Sequence, residues 1–116
     1  MSIRDLQKLC NANSVSAGWW EGSDVTNLET AATKLCLVHS EISEAMEGLR
    51  KNMNDDHLPH RKMVEVELAD AVIRILDLSG QMGLDLEGAI YEKLEYNAHR
   101  NDHKKENRNS INGKKF

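Results

Sequence analysis

LETAATKLCLVHSEISEAMEGLRK, residues 28–51, decides the fold. Ala31, Leu35, Val38, Ile42, Ala45, Met46 and Leu49 recur along it at helical spacing, the pattern of an amphipathic helix rather than a strand. The same stretch carries Glu41 and Glu44, three residues apart and so on one side of the helix, next to the apolar stripe. A carboxylate that close to a core needs either water or a cation, because burying it unpaired costs several kcal/mol, on the order of the penalty for any isolated ion.

Outward from this helix the chain continues in the same style. Ile3, Leu6 and Leu9 predict a helix over residues 3–12, with Ser2 as its N-cap. Residues 15–27 read as a loop around Gly18, Trp19, Trp20, Gly22 and Asp24. After a polar loop at 52–59, ended by Pro59, a third helix starts between His60 and Met63 and stops around 79–83, where Gly80 and Gly83 suit a left-handed turn. Its apolar face is Val66, Ala69, Ile73 and Leu76, and Glu67, Asp70, Arg74 and Asp77 lie on an adjoining face. Leu86, Ala89, Ile90 and Leu94 give a fourth helix over 86–100, N-capped by Asp85, with Glu87 suited to its first turn. With one proline and 4% aromatic residues, the composition favours helices over a β-sandwich. The fold class expected is all-α, a four-helix bundle in one domain over residues 1–100, followed by a tail at 101–116. A unit this small leaves apolar surface for a second copy, so oligomerisation is expected to complete it.

The net charge of -4 is unevenly placed. From Arg100 onward six basic residues face Asp102 and Glu106, a surplus of four positive charges, so an acidic body precedes a basic tail. Such a tail is either a solvated end or a phosphate contact. Cys10 and Cys36 have neither disulfide-framework nor zinc spacing. The N-terminus has no signal-peptide core, and no apolar run approaches the roughly 20 residues that span a bilayer. A cytoplasmic protein without a membrane or nucleic-acid polymer partner is expected.

Glu67 and Asp70 repeat the acidic pair on the third helix. Two pairs on two helices can gather four carboxylates, and such a set of hard oxygens suits Mg²⁺ or Mn²⁺ better than zinc or copper. A substrate carrying phosphates then follows. Spacing alone is weak: Glu44 with Glu47 and Glu92 with Glu95 have it too, and exposed acids on a helix are usually a solvated face. The two pairs beside core stripes are the stronger combination. A di-iron bundle would need Glu-x-x-His, whereas the nearest approach here is Glu95 to His99, one residue longer. Lys93, Asn97 and Arg100 share a face of the last helix, either ordinary surface or a phosphate-binding edge. Either tryptophan could anchor the core, and Trp20 is assigned to stacking on a nucleobase. Asn13 and His39 are candidates for hydrogen bonds to the base, although His39 reads better as a supporting histidine.

The strings Gly18-Trp19-Trp20, His39-Ser40-Glu41-Ile42-Ser43-Glu44-Ala45 and Glu67-Leu68-Ala69-Asp70-Ala71-Val72-Ile73-Arg74, and the run from Lys93 to Arg100 with Tyr96-Asn97, occur in the order in which they resemble the MazG-like nucleotide pyrophosphohydrolases. The resemblance covers nearly the whole chain. It implies hydrolysis of a nucleoside triphosphate to the monophosphate and diphosphate, with Mg²⁺, or Mn²⁺ in its place, held by Glu41, Glu44, Glu67 and Asp70. It also implies that Lys93 and Asn97, with Arg100 beside them, contact phosphate or sugar. Helices of a neighbouring subunit would complete the bundle in a dimer or tetramer. A role in controlling bacterial or phage deoxynucleotide pools is implied, with purine deoxynucleotides a candidate preference. At the C-terminus the chain departs from the family, with Asn101-Asp102-His103 where a proline step is usual and a longer polar stretch before Gly113-Lys114. The rival expectation is a non-enzymatic helical interaction module.

Overall fold

The computed structural model describes residues 1–100 and 104–116. Its regular structure among these residues is helical, with α1 at Ile3–Ser16, α2 at Leu28–Arg50, α3 at Met63–Gln81, α4 at Leu86–His99 and a short α5 at Lys105–Arg108. An isolated antiparallel bridge joins Asn54 to Lys62. The all-α expectation therefore holds. Among the described residues no helix is long and apolar enough to cross a membrane.

Local chemistry sets the helix ends. Ser2 caps α1 in a capping box with Asp5, whose carboxyl is held below its usual range chiefly by the Ser2 backbone N–H. Asn27 caps α2 by accepting from the Glu29 and Thr30 N–H groups, and Asp85 caps α4 by accepting from Gly88. The helix predicted over 3–12 runs on to Ser16, closed by the Ala17 N–H bonding to Asn13 and Val15 carbonyls. Packing against α3 carries it through weak helix formers. Of the two glycines expected to end α3, only Gly83 is left-handed, at φ 70°. Gly80 stays helical, and a Cβ there would lie 2.9 Å from the Asn11 Cβ, so its role is close approach of α1 and α3.

The chain divides into two compact units, Met1–Leu84 and Asp85–Phe116. In the first, α3 packs on both α2 and α1. Both pairings are antiparallel: Gly48 of α2 meets Met63 at the start of α3, while Gln7 and Asn11 of α1 reach Ser79 and Gln81 near its end. The interior is unusual in holding Gln7, Glu41, Asp55, Glu67 and Ser79 alongside Trp20, Ala31, Ala45, Ala71, Leu76 and Leu78. Gln7 is satisfied by the Ser79 hydroxyl and the Leu84 carbonyl, as a buried amide requires.

The apolar faces read from the sequence are corrected here. On α2 the packed positions are Ala31, Glu41, Ala45 and Gly48, whereas Leu35, Ile42, Met46 and Leu49 are exposed. On α3 Glu67 and Ala71 turn inward, while Ile73 and Ala69 face out and only Leu76 of the expected face is fully buried. The small residues Ala45, Gly48 and Ala71 allow the two helices to approach along the acid-bearing faces, which displaces the large aliphatic side chains to the outside.

The second unit carries α4 and, past residues 101–103, α5 and a turn in which Lys115 donates to the Arg108 and Ser110 carbonyls. Asn101-Asp102-His103 lies outside the described residues.

Candidate metal centre

Glu41 from α2 and Glu67 and Asp70 from α3 bring carboxylate oxygens within 4.8 Å of one another. Glu41 and Glu67 are buried and Asp70 is half-buried. Glu44 is exposed at the edge of the group but hydrogen-bonds with Glu67. The two acidic pairs predicted from spacing are thus brought together, three oxygens converging and the fourth carboxylate alongside.

Arg74, one turn past Asp70, reaches back across the helix pair and donates from Nε to Glu41 Oε1 at 2.8 Å. Burial pulls the Glu41 carboxyl upward, but the Arg74 hydrogen bond and charge, with bonds to Glu67 and Glu44, outweigh it and leave Glu41 below its ordinary value. Glu67 behaves oppositely. Burial first, then hydrogen bonds and repulsion from Glu41 and Glu44, push it up to about 8, so it holds a proton at neutral pH. Asp70 is raised by burial and by the charges of Glu41 and Asp55, against a lowering by Arg74. Arg74 and the proton that burial favours on Glu67 offset the repulsion among these carboxylates.

The donor set fits a divalent ion. Carboxylate oxygens bound at about 2.0–2.6 Å to a common hard cation lie at most about 4–5 Å apart, and the 4.8 Å clustering falls in that range. Among the described residues the group consists of carboxylates alone, a donor set of hard oxygens.

Asp55 is a neighbour that spacing does not reveal. It lies buried in the α2–α3 loop, accepting the His57 N–H at 2.9 Å and the Leu58 N–H at 2.7 Å, while its own N–H donates to Arg61. Asp55-Asp56 before Leu58-Pro59 is a turn signal, but the sequence does not say which aspartate turns inward.

The other predicted site residues fall elsewhere. Trp20 is buried, its indole N–H donates to Asp77 Oδ1 at 2.9 Å, and Lys34 Nζ sits 4.6 Å over its ring. It ties the α1–α2 loop to α3 rather than offering an open face. Trp19, 72% exposed, is the open indole. Asn13 and His39 are exposed, so His39 is not the supporting histidine that was expected. Asn11, not Asn13, does the local bonding, to Asp77 and Gln81. Lys93, Asn97 and Arg100 belong to the second unit. There Lys93 and Asn97 line a shallow hollow with Ala89, Ile90 and Leu94, Lys93 Nζ lies 4.5 Å over the Tyr96 ring, and Asn97 Oδ1 is buried with no partner among the described residues.

Comparison with protein-family models, with curated proteins and with solved structures gives no match to this chain.

Proposed function

We propose that this chain is a divalent-ion-dependent nucleoside triphosphate pyrophosphohydrolase, converting a (d)NTP and water to the (d)NMP and diphosphate. The observation that carries the reading is the convergence of Glu41, Glu67 and Asp70, with Glu44 bonded to Glu67, from two motifs on two helices. The order of sequence motifs that resemble the MazG-like enzymes supports it. Mg²⁺, with Mn²⁺ as substitute, supplies Lewis acidity toward water and phosphate oxygens. Glu41, Glu67 and Asp70 hold it. Glu44, accessible to solvent and outside the converging triad, is the carboxylate assigned to accept a proton from the attacking water. Trp19 is the indole open to a base, and Lys93, Asn97 and Arg100, in the second unit, are proposed as phosphate contacts on the resemblance alone. Deoxynucleotides, purines among them, are the proposed substrates, in a bacterial or phage-infected cytoplasm.

A homo-oligomer, dimer or tetramer, belongs to the same reading. Ile42, Met46 and Leu49 on α2 and Leu68, Val72 and Ile75 on α3 are all exposed. Each stripe lies one position beyond the packed face, and in antiparallel right-handed helices that offset turns both to the same side. Contiguous apolar surface of this kind marks an interface. It also favours the second reading, a helical interaction module without enzymatic activity.

The two readings separate in one assay. With Mg²⁺ the full chain is expected to release diphosphate from at least one common NTP or dNTP, to stop with EDTA, and to lose turnover in Glu67→Gln with helicity unchanged. Absence of diphosphate release from every nucleotide, or full activity in Glu67→Gln, leaves the module.

A further inference from the structure

Arg74 is a cation built into an acidic site. It is the eighth residue of the Glu67–Arg74 stretch, so it shares the α3 face of Glu67 and Asp70. Its Nε is fixed on Glu41, whose side chain is 10% exposed, but its own side chain is 43% exposed. A guanidinium has five N–H donors in a planar fork. The Glu41 bond uses Nε alone, and among the described residues neither terminal amino group of Arg74 has a hydrogen-bond partner. A side chain serving only as counter-ion would do better by pairing both edges with the surrounding carboxylates, as fork-to-fork arginine–carboxylate pairs do. Here one edge is anchored on Glu41 while the side chain as a whole stays open to solvent.

We propose that Arg74 is a binding residue for a diphosphate group. Glu41 holds the guanidinium plane through Nε, and the terminal amino groups take oxygens of a phosphoanhydride brought to Glu41, Glu67 and Asp70 with a divalent ion. This rests on the pyrophosphohydrolase reading for the site but not on turnover. It also fixes a direction for the ion itself: Arg74 is a positive charge beside the site, so it opposes an incoming cation while favouring the anion.

The test is binding of inorganic pyrophosphate to the full chain in Mg²⁺, by calorimetry, with Mg²⁺ affinity measured separately on the same proteins. In Arg74→Gln, pyrophosphate affinity is expected to fall about tenfold or more, the loss of a charge-assisted contact, while Mg²⁺ affinity holds or rises. Arg74→Lys, which keeps the charge without the fork, is expected to fall between. Unchanged pyrophosphate affinity in Arg74→Gln overturns the assignment, even if nucleotide hydrolysis is intact. Loss of Mg²⁺ binding together with pyrophosphate binding in both variants also overturns it, since Arg74 would then only hold the acids in place. A wild-type chain that binds pyrophosphate through Arg74 yet hydrolyses no nucleotide keeps this proposal and removes the hydrolase reading.

Discussion

At Glu67, burial and two neighbouring carboxylates retain a proton that an exposed glutamate would lose, and this makes the ion-free protein sensitive to alkali. The folded value, about 8, lies above the ordinary 4.5, so folding favours the protonated form. That contribution is fully present below about pH 4.5 and is lost as pH rises through 8. Asp70, also raised, acts in the same direction. Glu41 is lowered, so its contribution is lost only on acidification below the ordinary carboxylate range. In EDTA the melting temperature is therefore expected to fall between pH 5 and 9, by on the order of 10 °C for a loss near 2 kcal/mol. Glu67→Gln, which keeps a donor without an ionisable proton, should flatten that slope in thermal melts. With saturating Mg²⁺ the slope should reverse, because the ion binds the deprotonated carboxylates.

Among the elements, the α2–α3 hairpin carries the site, and its connecting loop is held more firmly than its polar sequence suggests. Asp55 satisfies two backbone N–H groups, and the Asn54–Lys62 bridge closes the loop at its base. Asp55→Ala strands both donors and should cost about 1–3 kcal/mol. Asp55→Asn keeps an acceptor and removes a charge that repels Asp70, so its cost in urea unfolding should be below about 1 kcal/mol. Asn27, which caps α2, reads in the sequence only as the end of a loop, whereas the starts of α1 and α4 were legible because Ser2 and Asp85 cap the residues next to them. The acid pairs were legible for the same reason, each being set by a one-turn spacing. Which face of a helix packs was not. Ile42 and Glu41 are adjacent in sequence, and hydrophobicity points to Ile42 as the core residue. Only the close approach allowed by Ala45, Gly48 and Ala71 reverses them. The Trp20–Asp77 and Glu41–Arg74 bonds join residues far apart in the chain, and no local pattern announces them.

For the whole molecule, the hairpin has two unlike sides. The offset that turns Ile42, Met46 and Leu49 to the same side as Leu68, Val72 and Ile75 turns Glu44 and Asp70 to the other. A second copy can therefore cover the apolar side without obstructing the acids. Met46→Glu places a charge on the apolar side proposed to meet a second copy, and sedimentation should show a shift toward the single chain, while the unchanged size of the variant would refute this face as the contact. Every member of the acid cluster, with its arginine, lies between residues 41 and 74, on two consecutive helices. Loop closure across so short a separation is fast compared with assembling distant segments. The hairpin therefore holds its acids and their arginine together through one short connection, at a smaller cost in chain entropy than a site drawn from distant segments.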